Sequence, residues 1–168
     1  IKELSTHGII LNLRSKKLKT FFNEHDEICT MISTVNRGHS IFINFDEYML
    51  KDVETPILGS YYPYILKRSE DYEEEGCFMH HCVGSYLNST RCIIISLRCF
   101  DNQERVTSEY SIRDGKNVQS KYMFNGSPPE HFKEALEILN QKVIYYSKKG
   151  LLKPIGKTKV PVVVNGVE

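Results

Sequence analysis

Three β-rich runs packed into thirty-five residues limit this chain's folding options more than any other feature: "RCIIISLRCF" (91–100), "VTSEYSIRD" (106–114) and "NVQSKYMFN" (117–125). The first two are joined by the polar loop "DNQER". The last two are joined by "DGKN", whose Asp114-Gly115 pair suits a tight hairpin turn. An antiparallel meander follows. Just beyond it, "EHFKEALEILNQKVIYYSKK" sets Phe132, Ala135, Leu136, Leu139, Val143 and Tyr146 on one stripe, the mark of an amphipathic helix over 130–148 that stops at Gly150. That helix is expected to cover a face of the sheet.

The rest of the chain is read around this centre. "GIILNL" (8–13) reads as a short strand, and the spacing of Leu18, Phe21, Phe22, Ile28, Cys29 and Ile32 predicts a helix over 16–33 with Ser15 as its N-cap. "RGHSIFINF" alternates like a strand, and Asp46 then caps a short helix. The segment "VETPILGSYYPYILKRSEDYEEEG" (53–76) holds two prolines, two glycines and no sustained period, so it reads as an irregular connection with short helical turns. Met79, Cys82, Val83 and Tyr86 recur at helical spacing and predict a helix over 77–88. Pro161 inside the β-branched tail points to an edge strand or an arm within the tail 151–168. With 168 residues, 40% hydrophobic content and 26% charged content, the chain is expected to form a single packed domain. The fold class expected is α+β, an antiparallel meander sheet with helices 16–33, 77–88 and 130–148 mainly on one face.

No apolar run approaches the ~20 residues of a membrane span. No signal-peptide pattern lies near Ile1, and the five cysteines carry no secretory signature, so a reducing, cytoplasmic setting is expected and the sequons at Asn88 and Asn125 are discounted. The net charge of +1 is no global nucleic-acid signature, although "RSKKLK" (14–19) and "KKGLLKPIGKTK" (148–159) are basic and "EDYEEE" (70–75) is acidic. "GLLKPIGKT" mimics the end of a phosphate-binding loop. Its glycines are one residue too far apart, and a helix precedes it where a strand is needed.

Chemistry concentrates in "EEEGCFMHHCVGSYLN" (73–88). Cys77, His80, His81 and Cys82 invite a zinc reading with Cys92 or Cys99 in reserve, but on one helix at most two of the four converge, so no metal or other cofactor is assigned and less than stoichiometric zinc is expected. Cys82 paired with a histidine would be a thiol nucleophile; the alternative is a small buried hydrophobe on the Met79/Val83/Tyr86 face. In the meander, Thr107 and Glu109 share one side of a strand, and Gln119 can join them from its neighbour. If the histidine-bearing segment packs on that side, a polar pocket results. An ordinary exposed sheet face is the alternative.

"EGCFMHHCVGSY", followed by "RCIIISLR", "TSEYSI" and "VQSKYMFN", resembles the PcfJ-like domain of conjugative plasmids, phages and related mobile elements. The likeness spans about residues 73–126. It puts Glu75, Gly76, His80, His81, Cys82, Val83, Gly84, Ser85, Tyr86, Arg98, Thr107, Glu109, Gln119 and Asn125 at motif positions, although "SKYMF" stands where the family has a Gly-rich turn before its Asn. The resemblance implies a genetic neighbourhood rather than a known reaction. The function expected is an enzyme-like pocket acting on nucleic acid or a nucleotide. In it His80, His81 or Cys82 is the reactive group, Glu109 and Gln119 orient, and Gly84, Ser85, Tyr86, Arg98, Thr107 and Asn125 bind. The alternative is a non-catalytic module that binds nucleic acid or other mobile-element proteins through the basic segments. Gly84 is expected to allow a close approach, so that an alanine there blocks the pocket.

Overall fold

A computed structural model of the chain describes residues 38–161, apart from the side chain of Ser85. The strand expected at 8–13, the helix at 16–33, the basic run at 14–19 and most of the β-branched tail lie outside those residues.

The meander forms as its patterning requires. Strands β3 (Cys92–Cys99), β4 (Arg105–Ser111) and β5 (Asn117–Lys121) run antiparallel, and β2 (Tyr61–Ile65) pairs with β3 to complete a four-stranded sheet in the order β2-β3-β4-β5. A second, two-stranded sheet joins β1 (His39–Asn44) to β6 (Gly156–Pro161), with His39 opposite Pro161 and Asn44 opposite Gly156. Helix α1 (Glu47–Val53) follows β1, and its N-cap Asp46 accepts a hydrogen bond from the Met49 amide as expected.

β2 lies inside the stretch expected to be irregular. Its Pro63 cannot donate to a ladder, which suits the edge position that β2 occupies. Helix α2 (Ser69–Met79) also begins in that stretch: Asp71 accepts hydrogen bonds from the Lys67 and Arg68 amides and so fixes the first turn. The helix expected over 77–88 is therefore displaced and broken. α2 ends at Met79, His80 adopts the left-handed conformation (φ 53°, ψ 50°), and Val83–Asn88 form a 3₁₀ helix.

Alternation sorts the central sheet into two faces. Ile93, Ile95, Leu97, Val106 and Tyr110 are buried together with Phe132, Ala135, Leu139, Val143 and Tyr146 of the segment that forms α3 (Lys133–Lys148), whose stripe is the one expected. Each such large side chain taken fully from water contributes about 1.5–3 kcal/mol. The Tyr110 hydroxyl donates to Asn140 of α3, and Tyr146 of α3 donates to Asp52 of α1. α2 lies over the opposite face, where its Glu75 meets Thr107 and its Asp71 accepts from Tyr64. The fold is α+β with an antiparallel sheet, and the chemistry-bearing 77–88 segment sits across the sheet from the 130–148 helix.

Candidate active-site cleft

On the α2 face the polar positions of β3, β4 and β5 line up. Ser96 is opposite Thr107, Arg98 is opposite Arg105, and Glu109 is opposite Gln119. A register shift between Glu109 and Tyr110 places Tyr110 opposite Asn117, so β5 bulges beside the Glu109–Gln119 pair.

Glu75 is the charged centre beneath this face. Its side chain is 0% exposed. One carboxylate oxygen accepts from the Thr107 hydroxyl at 2.7 Å, and the other from Arg105 at 2.9 Å and Arg98 at 3.3 Å. Burial by itself would raise the Glu75 carboxyl, but the Arg105 and Arg98 charges and the hydrogen bonds of Ser96 and Thr107 outweigh it and hold the group below its ordinary value. Glu75 is ionised at neutral pH.

That charge dictates the next two contacts. An ionised carboxylate only accepts, so Thr107 spends its one proton on Glu75, and its oxygen accepts from Nε2–H of His81 at 3.0 Å. The tautomer of His81 is thereby set, with the lone pair on Nδ1. Burial lowers the imidazole below its ordinary pKa, opposed by its own backbone and by the Glu75 charge. Nδ1 is buried and has no hydrogen-bond partner among the described residues.

Next to this relay is a cleft of about 110 Å³, lined among others by His81, Cys82, Tyr86, Thr107, Glu109 and Gln119, with Lys121 and Asn125 also on its wall. Gln119 donates to Glu109 at 2.7 Å and to the Tyr86 hydroxyl at 3.2 Å. The negative charge of Glu109, followed by burial, raises the Tyr86 phenol. Cys82 is exposed here, not the buried hydrophobe of the alternative reading. Of the sequence-derived candidates, His81, Cys82, Tyr86, Thr107, Glu109, Gln119 and Asn125 meet in this one cleft.

Three candidates do not. His80 is turned away and stacks on the exposed Phe124, their centroids 4.7 Å apart and their planes 2° from parallel. Arg98 stands behind the cleft as a partner of Glu75 and lies over the Tyr64 ring. Gly84 lines a second groove that His81 and Cys82 also border, shared with Tyr72, Glu73, Gly76 and Cys77, and a Cβ built on it meets nothing within 4 Å. The close approach expected there belongs to Gly76, whose Cβ would lie 3.2 Å from the His81 carbonyl oxygen and 3.6 Å from Val83. The Ser85 side chain is outside the described atoms. Cys77, His80, His81 and Cys82 do not come together as a metal-binding group, because the chain reverses at His80 between them.

Arg105 is the site residue the sequence reading missed, having been assigned to the polar loop "DNQER". Parity would have found it: 105, 107 and 109 are alternate positions of one strand and so share a face.

No family model, no curated protein and no solved structure matches the chain.

Proposed function

We propose that the chain is a PcfJ-like domain and that its cleft is an enzyme-like site acting on a nucleotide or on a base of a nucleic acid. His81 is the proton carrier, Cys82 the reactive thiol at the cleft, and the Glu109–Gln119 pair the orienting group. The observation that carries this proposal is the Glu75–Thr107–His81 chain. A fully buried carboxylate held by two guanidiniums fixes, through one hydroxyl, the tautomer of a neutral imidazole on the cleft wall. Glu109 and the Gln119 amide oxygen supply acceptors, and the Tyr86 hydroxyl, which accepts from Gln119, keeps its own proton to donate, which matches the mixed edge of a nucleobase. The small volume suits a single ring or base, with the sugar and phosphate outside near Lys121.

Titration of the native chain with mononucleotides and short single-stranded oligonucleotides, read by NMR shifts at His81 and Gln119, tests this. Saturable shifts that weaken at least about tenfold in Gln119→Leu are expected. Shifts absent for every nucleotide and oligonucleotide sink the proposal. Native Cys82 is expected to be alkylated faster than the buried Cys92, whose thiol is pushed up by burial, and His81→Gln to slow that reaction.

A second reading has its own observation. All six residues of β6 are exposed, and Lys157 and Lys159 lie two apart on it, not far in sequence from Lys148, Lys149 and Lys153. Charge reversal at Lys148, Lys149, Lys157 and Lys159 is expected to abolish any steeply salt-dependent nucleic-acid binding that survives Gln119→Leu. No binding at low salt removes this reading. Among the described residues no helix is long and apolar enough to cross a membrane.

A further inference from the structure

On the α3 face, away from the cleft, another set of side chains comes together. Tyr61 of β2 is opposite Cys99 of β3, and the Cys99 amide bonds the Glu104 carbonyl at 2.8 Å across the β3–β4 hairpin. Tyr61, Cys99 and Glu104 thus form a row across the end of the sheet. Over that row lies His131, in the 3₁₀ turn Glu130–Phe132 that leads into α3. Its position is rigid: Pro128 and Pro129 restrict the approach and the fully buried Phe132 anchors the exit.

The hydrogen bonds around His131 decide which nitrogen faces Glu104 with a lone pair. Tyr61 donates its only proton to the His131 carbonyl at 2.7 Å, so the phenol oxygen can only accept from Nδ1–H at 2.8 Å. Nε2 then carries the lone pair, and it faces a Glu104 carboxylate oxygen at 2.7 Å. Two acceptors at that distance repel unless a proton or a metal ion joins them. A proton would satisfy the two, but the Sγ of Cys99 completes a third corner: ligand atoms of Cys99, Glu104 and His131 all lie within 4.8 Å of one another. Around a zinc ion at 2.0–2.3 Å such atoms are separated by about 3.5 Å, a modest adjustment for two side chains that are partly exposed.

We infer that Cys99, Glu104 and His131 form a binding site for a divalent transition-metal ion of the zinc type, with Tyr61 holding His131 in the ligating tautomer. The donor set decides the metal class. One thiolate, one imidazole and one carboxylate favour zinc or its neighbours over magnesium or calcium, which take oxygen ligands. Three protein ligands, of which Glu104 and His131 are partly exposed, leave the fourth position to water. A histidine whose other nitrogen is held by a fixed hydroxyl is the usual arrangement at such centres. The ion would tie the β3–β4 hairpin to the start of α3, and one bound equivalent would replace the expectation of less than stoichiometric zinc drawn from residues 77–82.

The test uses the full chain, stripped by chelator and dialysed, then titrated with zinc by calorimetry and with cobalt(II) by absorption. One equivalent is expected to bind, with the cobalt form showing a thiolate charge-transfer band and tetrahedral ligand-field bands. Glu104→Gln and His131→Gln, both at the surface and so able to fold, are expected to weaken zinc by at least about tenfold, and Tyr61→Phe by about tenfold. Cys99→Ser is expected to remove the thiolate band. Zinc binding equal in all these variants, or a cobalt form lacking the thiolate band, places any metal elsewhere and overturns the inference. So does failure to take up zinc or cobalt at all.

Discussion

Glu75 is a carboxylate whose removal should do more damage than its net contribution suggests. Glu75→Gln leaves Arg98 and Arg105 facing each other without a counter-charge in a site where they are mostly buried, and breaking a buried pair in this way costs about 3–5 kcal/mol, measurable as a lower denaturant midpoint. The pH dependence has a definite sign. Both Glu75 and His81 have folded-state pKa values below their ordinary ones, so the stability each contributes is complete above its unfolded pKa and is lost as pH falls toward the folded one. Acid destabilisation is therefore expected in two windows, one opening below the ordinary His81 value of 6.5 and one below the ordinary Glu75 value of 4.5. In Glu75→Gln the loss in the lower window is expected to shrink while the upper one remains; an unchanged acid limb would mean that Glu75 is not ionised in the fold. At this scale the sequence was informative about membership and weak on direction. Thr107, Glu109 and Gln119 were readable as one face because strand parity is strict, whereas His80 and His81 differ by a single position and only the backbone reversal between them decides which one enters the cleft.

Among the elements, strand patterning and the α3 stripe carried through to the structure, because β-branched runs and a 3.6-residue period each admit few alternatives. β2 and α2 were hidden for opposite reasons. Tyrosine and proline obscure an edge strand with one ladder to satisfy, and an acidic run obscures a helix that buries Asp71 and Glu75 by pairing them with Arg68, Arg98 and Arg105. The spacing of Met79, Cys82, Val83 and Tyr86 looked helical because a helix end followed by a 3₁₀ helix keeps a similar period while changing direction. The two glycines of this region are expected to separate cleanly. Gly76→Ala pushes on the His81 carbonyl and should shift the turn, costing about 1 kcal/mol and changing the Cys82 alkylation rate. Gly84→Ala enters open space and should stabilise by up to about 1 kcal/mol with that rate unchanged. Equal effects on alkylation would show that the turn is not set by the contact at Gly76.

Across the whole molecule, the sheet and α3 are locked together at the β4–β5 hairpin. Gly115 has φ +69°, and a Cβ there would lie 2.7 Å from Ser147 Cβ, 2.8 Å from the Val143 carbonyl and 2.9 Å from Ile144 Cα. Neither the turn nor the helix can yield without the other, so Gly115→Ala is expected to cost more than about 2 kcal/mol and to lower the thermal midpoint of the whole chain. A loss below about 0.5 kcal/mol would show that the hairpin is not packed on α3. The sequence announced a turn glycine at this position, but only the docked helix makes it irreplaceable. The β1–β6 ribbon has a different consequence, one of timing. Asn44 and Thr158, joined by a side-chain hydrogen bond at 3.0 Å, are 114 positions apart, so during synthesis the edge of β1 that takes β6 waits until nearly all of the described chain has emerged, while its other side bridges the nearby Arg68 through Phe42. Pairing over so long a loop is entropically costly and late, whereas the meander closes from neighbouring segments. The nascent chain must therefore carry an open strand edge at "HSIFIN" through most of its translation, a period in which the ribosome's pace, rather than the finished fold, governs its exposure to other chains.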